Sequence, residues 1–265
     1  MKSTTLFKPL FAASIAAACG WAQAQAFDAV RMYGPPGDGQ GTVGVALAYG
    51  YRYLGSDLRR TALFPALEYR WSNGWFAGTT NGIGYKFDSP QDMQFGLRMT
   101  ADFGRSESRS PLLAGMGNIK ARPEFGGFFN FYLARDINLS SSLRYGSGNS
   151  RKGAQLDLGA HYALQLAPQW RAAAGLSTTI ANADYMQEHF GVTAAQALTS
   201  QNPAYSAGAG VRDVRASLSL NYFITPVWTV TGALSATSLQ GDAKGSPIVR
   251  ERTPISGVAA LSYRF

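Results

Sequence analysis

Short segments of two-residue alternation recur along the whole chain, and after residue 26 there is no apolar run of about 18 residues or more. That combination excludes a transmembrane helix, which needs about 20 apolar residues, but it suits tilted strands of about 10 residues. Val43, Val45, Leu47, Tyr49 and Tyr51 alternate with Thr42, Gly44, Ala46, Ala48 and Gly50. Leu63, Pro65, Leu67, Tyr69 and Trp71 oppose Phe64, Glu68 and Arg70. The pattern returns around Met93–Ala101, Phe125–Leu133, Ile137–Leu143, Leu156–Leu164, Trp170–Ile180, Val214–Tyr222 and Trp228–Ala236. It closes with Leu261, Tyr263 and Phe265.

The polar face separates a membrane barrel from a soluble sandwich, because both alternate. A solvent-facing sheet carries Lys, Glu and Asp. Here the polar positions hold mostly Gly, Ser, Thr, Asn and Arg, and charged residues are only 15% of the chain, against about 25% in soluble proteins. Aromatic residues gather at strand ends beside short turns, as in Tyr69 and Trp71 before Ser72-Asn73-Gly74. A membrane-interface girdle predicts that placement.

The N-terminus reads as an export signal. Lys2 and Lys8 precede a short Ala-rich apolar stretch, and Ala24-Gln25-Ala26 fits a small-residue cleavage site. The expected organisation is a cleaved signal peptide at 1–26, a flexible Gly- and Pro-rich segment at 27–40, and a barrel over 41–265. Cleavage would remove two of the 24 basic residues and no acid, leaving 22 against 16 and a net charge of +6. It would also remove the single cysteine, Cys19.

Linker lengths alternate between short (134–136, 166–169, 224–226) and long (104–123, 146–152, 182–205, 239–252). Counts from the two termini disagree by one strand unless 74–87 holds two short strands turning near Asn81-Gly82. That parity predicts an all-β, antiparallel, up-and-down transmembrane β-barrel of 12 strands, with 10 as the alternative. The C-terminal Leu261, Tyr263 and Phe265 resemble an outer-membrane insertion signal, which implies the outer membrane of a Gram-negative bacterium. Outer-membrane lipid and lipopolysaccharide are then the immediate contacts, and nucleic acid is not a partner for an exported barrel.

On the inferred lumen face stand Arg98, Arg144, Arg171, Arg215, Asp157 and His161, with Arg70, Arg264, Glu68, Asp102 and Glu124. Two readings compete. The charges either tune ion selectivity or form ion pairs that fill and stiffen the barrel. Asp157 and His161 are four residues apart on one strand, roughly 13 Å, too far for a direct hydrogen bond. No catalytic site is expected, and no cofactor. One Cys and two His cannot build a closed zinc cluster.

Several segments together resemble the MltA-interacting protein family (MipA/OmpV). They include Tyr53-Leu54-Gly55-Ser56-Asp57, Phe64-Pro65-Ala66-Leu67-Glu68-Tyr69-Arg70-Trp71 and Gly115-Met116-Gly117-Asn118-Ile119. The most specific block runs from Ala183-Asp184-Tyr185-Met186-Gln187-Glu188-His189-Phe190-Gly191 to Pro203-Ala204-Tyr205-Ser206-Ala207-Gly208-Ala209-Gly210. Asn118 departs from the acidic residue expected there. The resemblance implies an outer-membrane barrel that serves as a non-enzymatic scaffold for murein (peptidoglycan) machinery, with a lytic transglycosylase and a murein synthase as partners. Small-solute passage and a surface adhesin or stress-response role are the other family readings. For these, Tyr185, Met186, Gln187 and Phe190 mark a candidate interaction loop.

Overall fold

A computed structural model describes residues 39–90 and 92–265. The expected signal peptide and residues 27–38 of the segment after it lie outside the described residues. Twelve strands form one closed antiparallel barrel, each hydrogen-bonded to its neighbours in sequence, with the last closing on the first. They are β1 (Gly41–Tyr51), β2 (Arg59–Arg70), β3 (Trp75–Gly78), β4 (Gly82–Lys86), β5 (Met93–Asp102) and β6 (Arg122–Ala134). The second half holds β7 (Ile137–Ser147), β8 (Gly153–Ala167), β9 (Trp170–Ala181), β10 (Gly210–Phe223), β11 (Trp228–Leu239) and β12 (Ile255–Arg264). The 12-strand expectation holds, and β3 and β4 are the short pair that parity required.

The alternation sorts as the sequence suggests. Val43, Val45, Leu47 and Tyr49 are exposed on the outside of β1, while Ala46 and Ala48 are buried inside. The same division runs through β5 (Phe95, Leu97, Met99 outward; Arg98 inward) and β11 (Val230, Leu234 outward; Thr229, Thr231, Ser235 inward). An exposed apolar exterior is stable only against lipid. No described helix is long and apolar enough to cross a membrane.

At the end of the short turns, aromatics pair across neighbouring strands. Trp75 meets Tyr85 at 5.6 Å, Trp170 meets Tyr222 at 4.6 Å and Trp228 meets Tyr263 at 5.1 Å. Phe265 lies at this end too. Its backbone exchanges two hydrogen bonds with Gly41 at 3.0 Å, and its ring stacks on Tyr69.

One expected lipid-facing residue is misplaced. Tyr51 is buried, with Thr237, Arg215 and Asp213 as neighbours. β1 ends at this residue, so the pleat no longer dictates its direction, and a phenol gains more from a polar interior than from lipid.

Candidate functional site

Two inward groups define the interior: a chain of ion pairs in the lumen and a lid above it at the long-loop end. The ion-pair chain begins on β6. Glu124 is fully buried and accepts from Arg144 Nη1 at 3.3 Å and Gln155 Nε2 at 3.0 Å. Arg144 also grips Asp157 Oδ2 through Nε and Nη2, at 3.1 and 2.8 Å. Asp157 accepts in addition from Thr179 Oγ1 at 2.8 Å. Gln155 Oε1 receives Arg212 Nη1. Arg212 Nε donates to Asp213 Oδ2 at 2.6 Å, and Arg215 Nη2 reaches Asp213 Oδ1 at 3.5 Å. Arg215 continues to Thr237 Oγ1 on β11 at 3.3 Å.

The cluster therefore spans β6 to β11 and sets three carboxylates (Glu124, Asp157, Asp213) against three guanidiniums (Arg144, Arg212, Arg215). Its formal charge is zero. A selectivity ring needs an excess of one sign, whereas a balanced and mutually bonded set meets the condition for burying charge at all.

Sequence alternation alone misses Arg212. Arg212 and Asp213 are adjacent yet both buried, because the β9–β10 register shifts between Val211 and Asp213. A bulge inserts one unpaired residue and turns its side chain to the face its neighbour already occupies.

The lid is built from α1 (Ala183–Phe190), α2 (Ala194–Thr199) and α3 (Gly241–Gly245), with two 3-10 turns at Glu107–Arg109 and Pro111–Leu113. Asn182 starts α1 by accepting Tyr185 N–H at 3.0 Å, and Thr193 with Gln196 forms a capping box on α2. Tyr185, Met186 and Phe190 pack with Ala207, Leu239 and Ala243. A second cluster joins Tyr53, Leu113, Met116, Val192 and Ile248. Hydrogen bonds tie the loops together: Arg105 Nη1 to His189 O at 2.7 Å, Gln196 Nε2 to Met116 O at 2.7 Å and Asn202 Nδ2 to Leu112 O at 2.8 Å. Tyr185 connects lid and lumen, since its hydroxyl accepts Arg212 Nη1 at 3.0 Å. Burial raises that hydroxyl to about 12, against the opposing pull of Arg212, so it stays protonated.

Three residues of the expected interaction loop are buried in this arrangement. Met186 is 0% exposed and Phe190 1%, and Tyr185 is buried as well. They are the lid's own core, because an eight-residue helix on a barrel rim has to bury its apolar stripe somewhere. Gln187 Oε1 is also engaged, accepting Ala207 N–H at 2.9 Å. The exposed large apolar residue of the two helices is Leu198 on α2, at 89%.

The remaining predicted lumen residues lie nearer the short turns. Arg98 donates to Ser142 Oγ at 2.7 Å and sits over the Phe128 ring. His161 shares a hydrogen bond with Ser140 Oγ at 3.2 Å and lies where a Cβ on Gly175 would be, 2.5 Å from its Nδ1. That is the setting of a packed lumen side chain. Arg171 is half-buried, opposite Gln165 and Asn221. Arg70, Lys86, Arg98 and Asp157, with Phe76 and Phe128, border a cavity of about 120 Å³ reaching the 71–74 turn. His189 contacts Asp102 Oδ2 at 3.6 Å and stacks on Tyr185. No metal-binding group of three or more His, Cys, Asp or Glu occurs among the described residues.

Comparison with solved structures returns barrels. The NanC porin is 13% identical, over 83% of this chain and 98% of that one, with a TM-score of 0.47. The COG4313 outer membrane channel from Pseudomonas putida F1 is 12% identical, over 89% and 98%, also with a TM-score of 0.47. No curated protein matches significantly. The family model described as "MltA-interacting protein MipA" matches residues 43–265, a span that takes in all the strands from Val43 onward and the lid, and the chain belongs to that family.

Proposed function

We propose that this outer-membrane barrel is a non-enzymatic scaffold for murein-processing enzymes, a lytic transglycosylase and a murein synthase, with its short-turn end in the periplasm. The observation that carries the reading is the charge-balanced cluster under an interlocked lid. Both occupy the long-loop half of the interior and favour a rigid body over a conduit. The family description names a partner of the same kind. The partner surface would then comprise the short turns and the mouth of the cavity bordered by Arg70 and Lys86. Turns this small must act together to approach the roughly 800 Å² per partner of a standard interface.

The test is capture from a crosslinked envelope extract on the immobilised mature barrel, with an unrelated barrel of similar size as control. Selective recovery of both murein enzymes supports the scaffold; recovery equal to the control overturns it.

The second reading is a small-solute channel. It is favoured by one observation, the cation-rich lining of the cavity by Arg70, Lys86 and Arg98. Passage would require the lid to move. Single-channel recording on the intact barrel and on an Arg98→Ala variant decides it, since a pore governed by this lining must change its ion selectivity.

A further inference from the structure

The outer wall of the barrel is uneven. From β8 round to β1, the side chains that face out fall into rows set by the strand register. Leu47, Ala259, Gly232, Leu220, Ala172 and Leu164 lie side by side across six strands. The next row toward the long loops runs Tyr49, Gly257, Leu234, Leu218, Ala174 and Tyr162. In both rows small residues on β9 and β12 stand between bulky ones, and Gly232 widens the gap on β11. The result is a hollow of about 780 Å³ on the lipid-facing side, divided by the exposed ridge of Leu218 and Leu220. A Cβ on Gly232 would meet nothing within 4 Å, so the floor is open there. The far wall is built differently: Phe95, Leu97 and Met99 on β5 and Phe125 and Phe129 on β6 are large and exposed.

Above the hollow, the loop after β1 and the loop before β12 are stitched into one rim. Arg250 and Glu251 both donate their N–H to Gly55 O, at 2.8 and 3.0 Å, and the Tyr53 hydroxyl donates to Ile248 O at 2.9 Å. Arg59 reaches across the end of β1, where Tyr51 has turned inward. Its Nη1 donates to Ile255 O at 3.1 Å, and its Nη2 lies 3.6 Å from Glu251. Arg250 and Arg252 are exposed. Residues 52–60 and 250–252 together hold five arginines against two acids, Asp57 and Glu251, an excess of three positive charges. Ile255 stands two residues above Gly257 and four above Ala259, roughly 7 and 13 Å along the strand. The rim and the hollow are therefore separated by no more than about half of an apolar band some 25 Å tall.

Inside a bilayer, association is driven by close packing, and small residues let a partner approach the backbone. A cationic rim at the membrane surface adds attraction for anionic head groups. We propose that this hollow binds a multi-chain, phosphate-bearing lipid of the outer leaflet, lipopolysaccharide. Its acyl chains lie on both sides of the Leu218–Leu220 ridge, over Gly232, Gly257 and Ala259, and its phosphates meet Arg59, Arg250 and Arg252. The leaflet follows from the orientation that puts short turns in the periplasm. From β8 to β1 the hollow crosses five strand spacings, roughly 24 Å, room for several chains side by side rather than the two of a phospholipid. A second barrel fits less well, because two copies meeting at this face would bring two positive rims together.

The full mature barrel is folded in detergent, with heat-modifiable migration to verify folding, and titrated with bisphosphorylated lipid A or with phosphatidylglycerol. Native mass spectrometry counts bound lipids and barrel copies. The expected result is one lipid A held more tightly than phosphatidylglycerol. Gly232→Leu fills the hollow at a position where a side chain has space, and it should abolish that preference. Arg250→Gln combined with Arg252→Gln should weaken lipid A binding about thirtyfold, the loss expected of two basic residues at a membrane surface. Leu97→Phe on the far wall should change neither lipid. Equal affinity for the two lipids overturns the proposal. Lipid A binding that ignores Gly232→Leu overturns the chain site, and binding that ignores the arginine pair overturns the head site. A dimer that dissociates on Gly232→Leu would give the hollow to a second copy and overturn the lipid assignment.

Discussion

Arg212 and Asp213 are consecutive residues of one strand, yet both side chains enter the lumen, where Arg212 Nε donates to Asp213 Oδ2 at 2.6 Å. Asp213 also meets Arg215, so one carboxylate serves two buried guanidiniums. Asp213→Asn removes the counter-charge that the two share. Removing one partner from a buried pair costs about 3–5 kcal/mol. Urea unfolding of the vesicle-inserted barrel, followed by tryptophan fluorescence, measures it. A loss under about 1 kcal/mol, the range of exposed pairs, would show that water reaches this cluster.

Phe190 anchors the lid. Phe190→Ala should cost about 3–5 kcal/mol locally and free the 182–209 segment while the strands stay intact. Limited proteolysis reads this directly: cleavage appears within that segment, and the barrel still migrates as folded. The same variant separates the two functional readings. New conductance would make the lid a gate, and continued silence would locate the block in the ion-pair cluster beneath it.

Gly126 and Gly232 make opposite predictions. A Cβ on Gly126 would lie 1.8 Å from the backbone oxygen of Leu143, whereas one on Gly232 meets nothing within 4 Å. Backbone in a closed ladder cannot yield as a flexible side chain can. Gly126→Ala should therefore give little or no heat-modifiable barrel, and Gly232→Ala a normal yield.

Phe265 is expected to act during assembly rather than in the finished fold. Its ring is 61% exposed, and its ladder bonds to Gly41 are made by backbone atoms. Phe265→Ala should lower the amount of folded protein reaching the membrane in cells. Urea stability of the same variant refolded in vitro should shift by less than about 1 kcal/mol, since most of the residue's surface lies outside the protein's own packing. Equal cellular levels of variant and parent would remove the insertion-signal role.

Much of this architecture is written in the order of residues. Period-two alternation fixes which side chain faces lipid, because adjacent strand residues must point to opposite faces. Linker parity requires an even strand count, since each hairpin reverses the chain, and it calls for two short strands in 74–87, where β3 and β4 lie. Aromatic placement marks the short-turn end for the same local reason: ring and polar tip prefer the interface.

Other features are decided only when the chain closes. The bulge at Val211–Asp213 breaks the alternation by one residue, and Gln155, Tyr185 and Asp213 are the partners that receive Arg212 in the lumen. Tyr185, Met186 and Phe190 stand in the sequence as a candidate interaction loop, and only the structure lays α1 on Ala207, Leu239 and Ala243, residues of other elements. How far β3 and β4 fall short of β2 and β5 shows only when strand lengths are compared across the closed sheet. Local pattern is set by the pleat, which acts between sequence neighbours. Partner choice in the lumen and lid is set by burial, which acts between residues that only the closed barrel brings together.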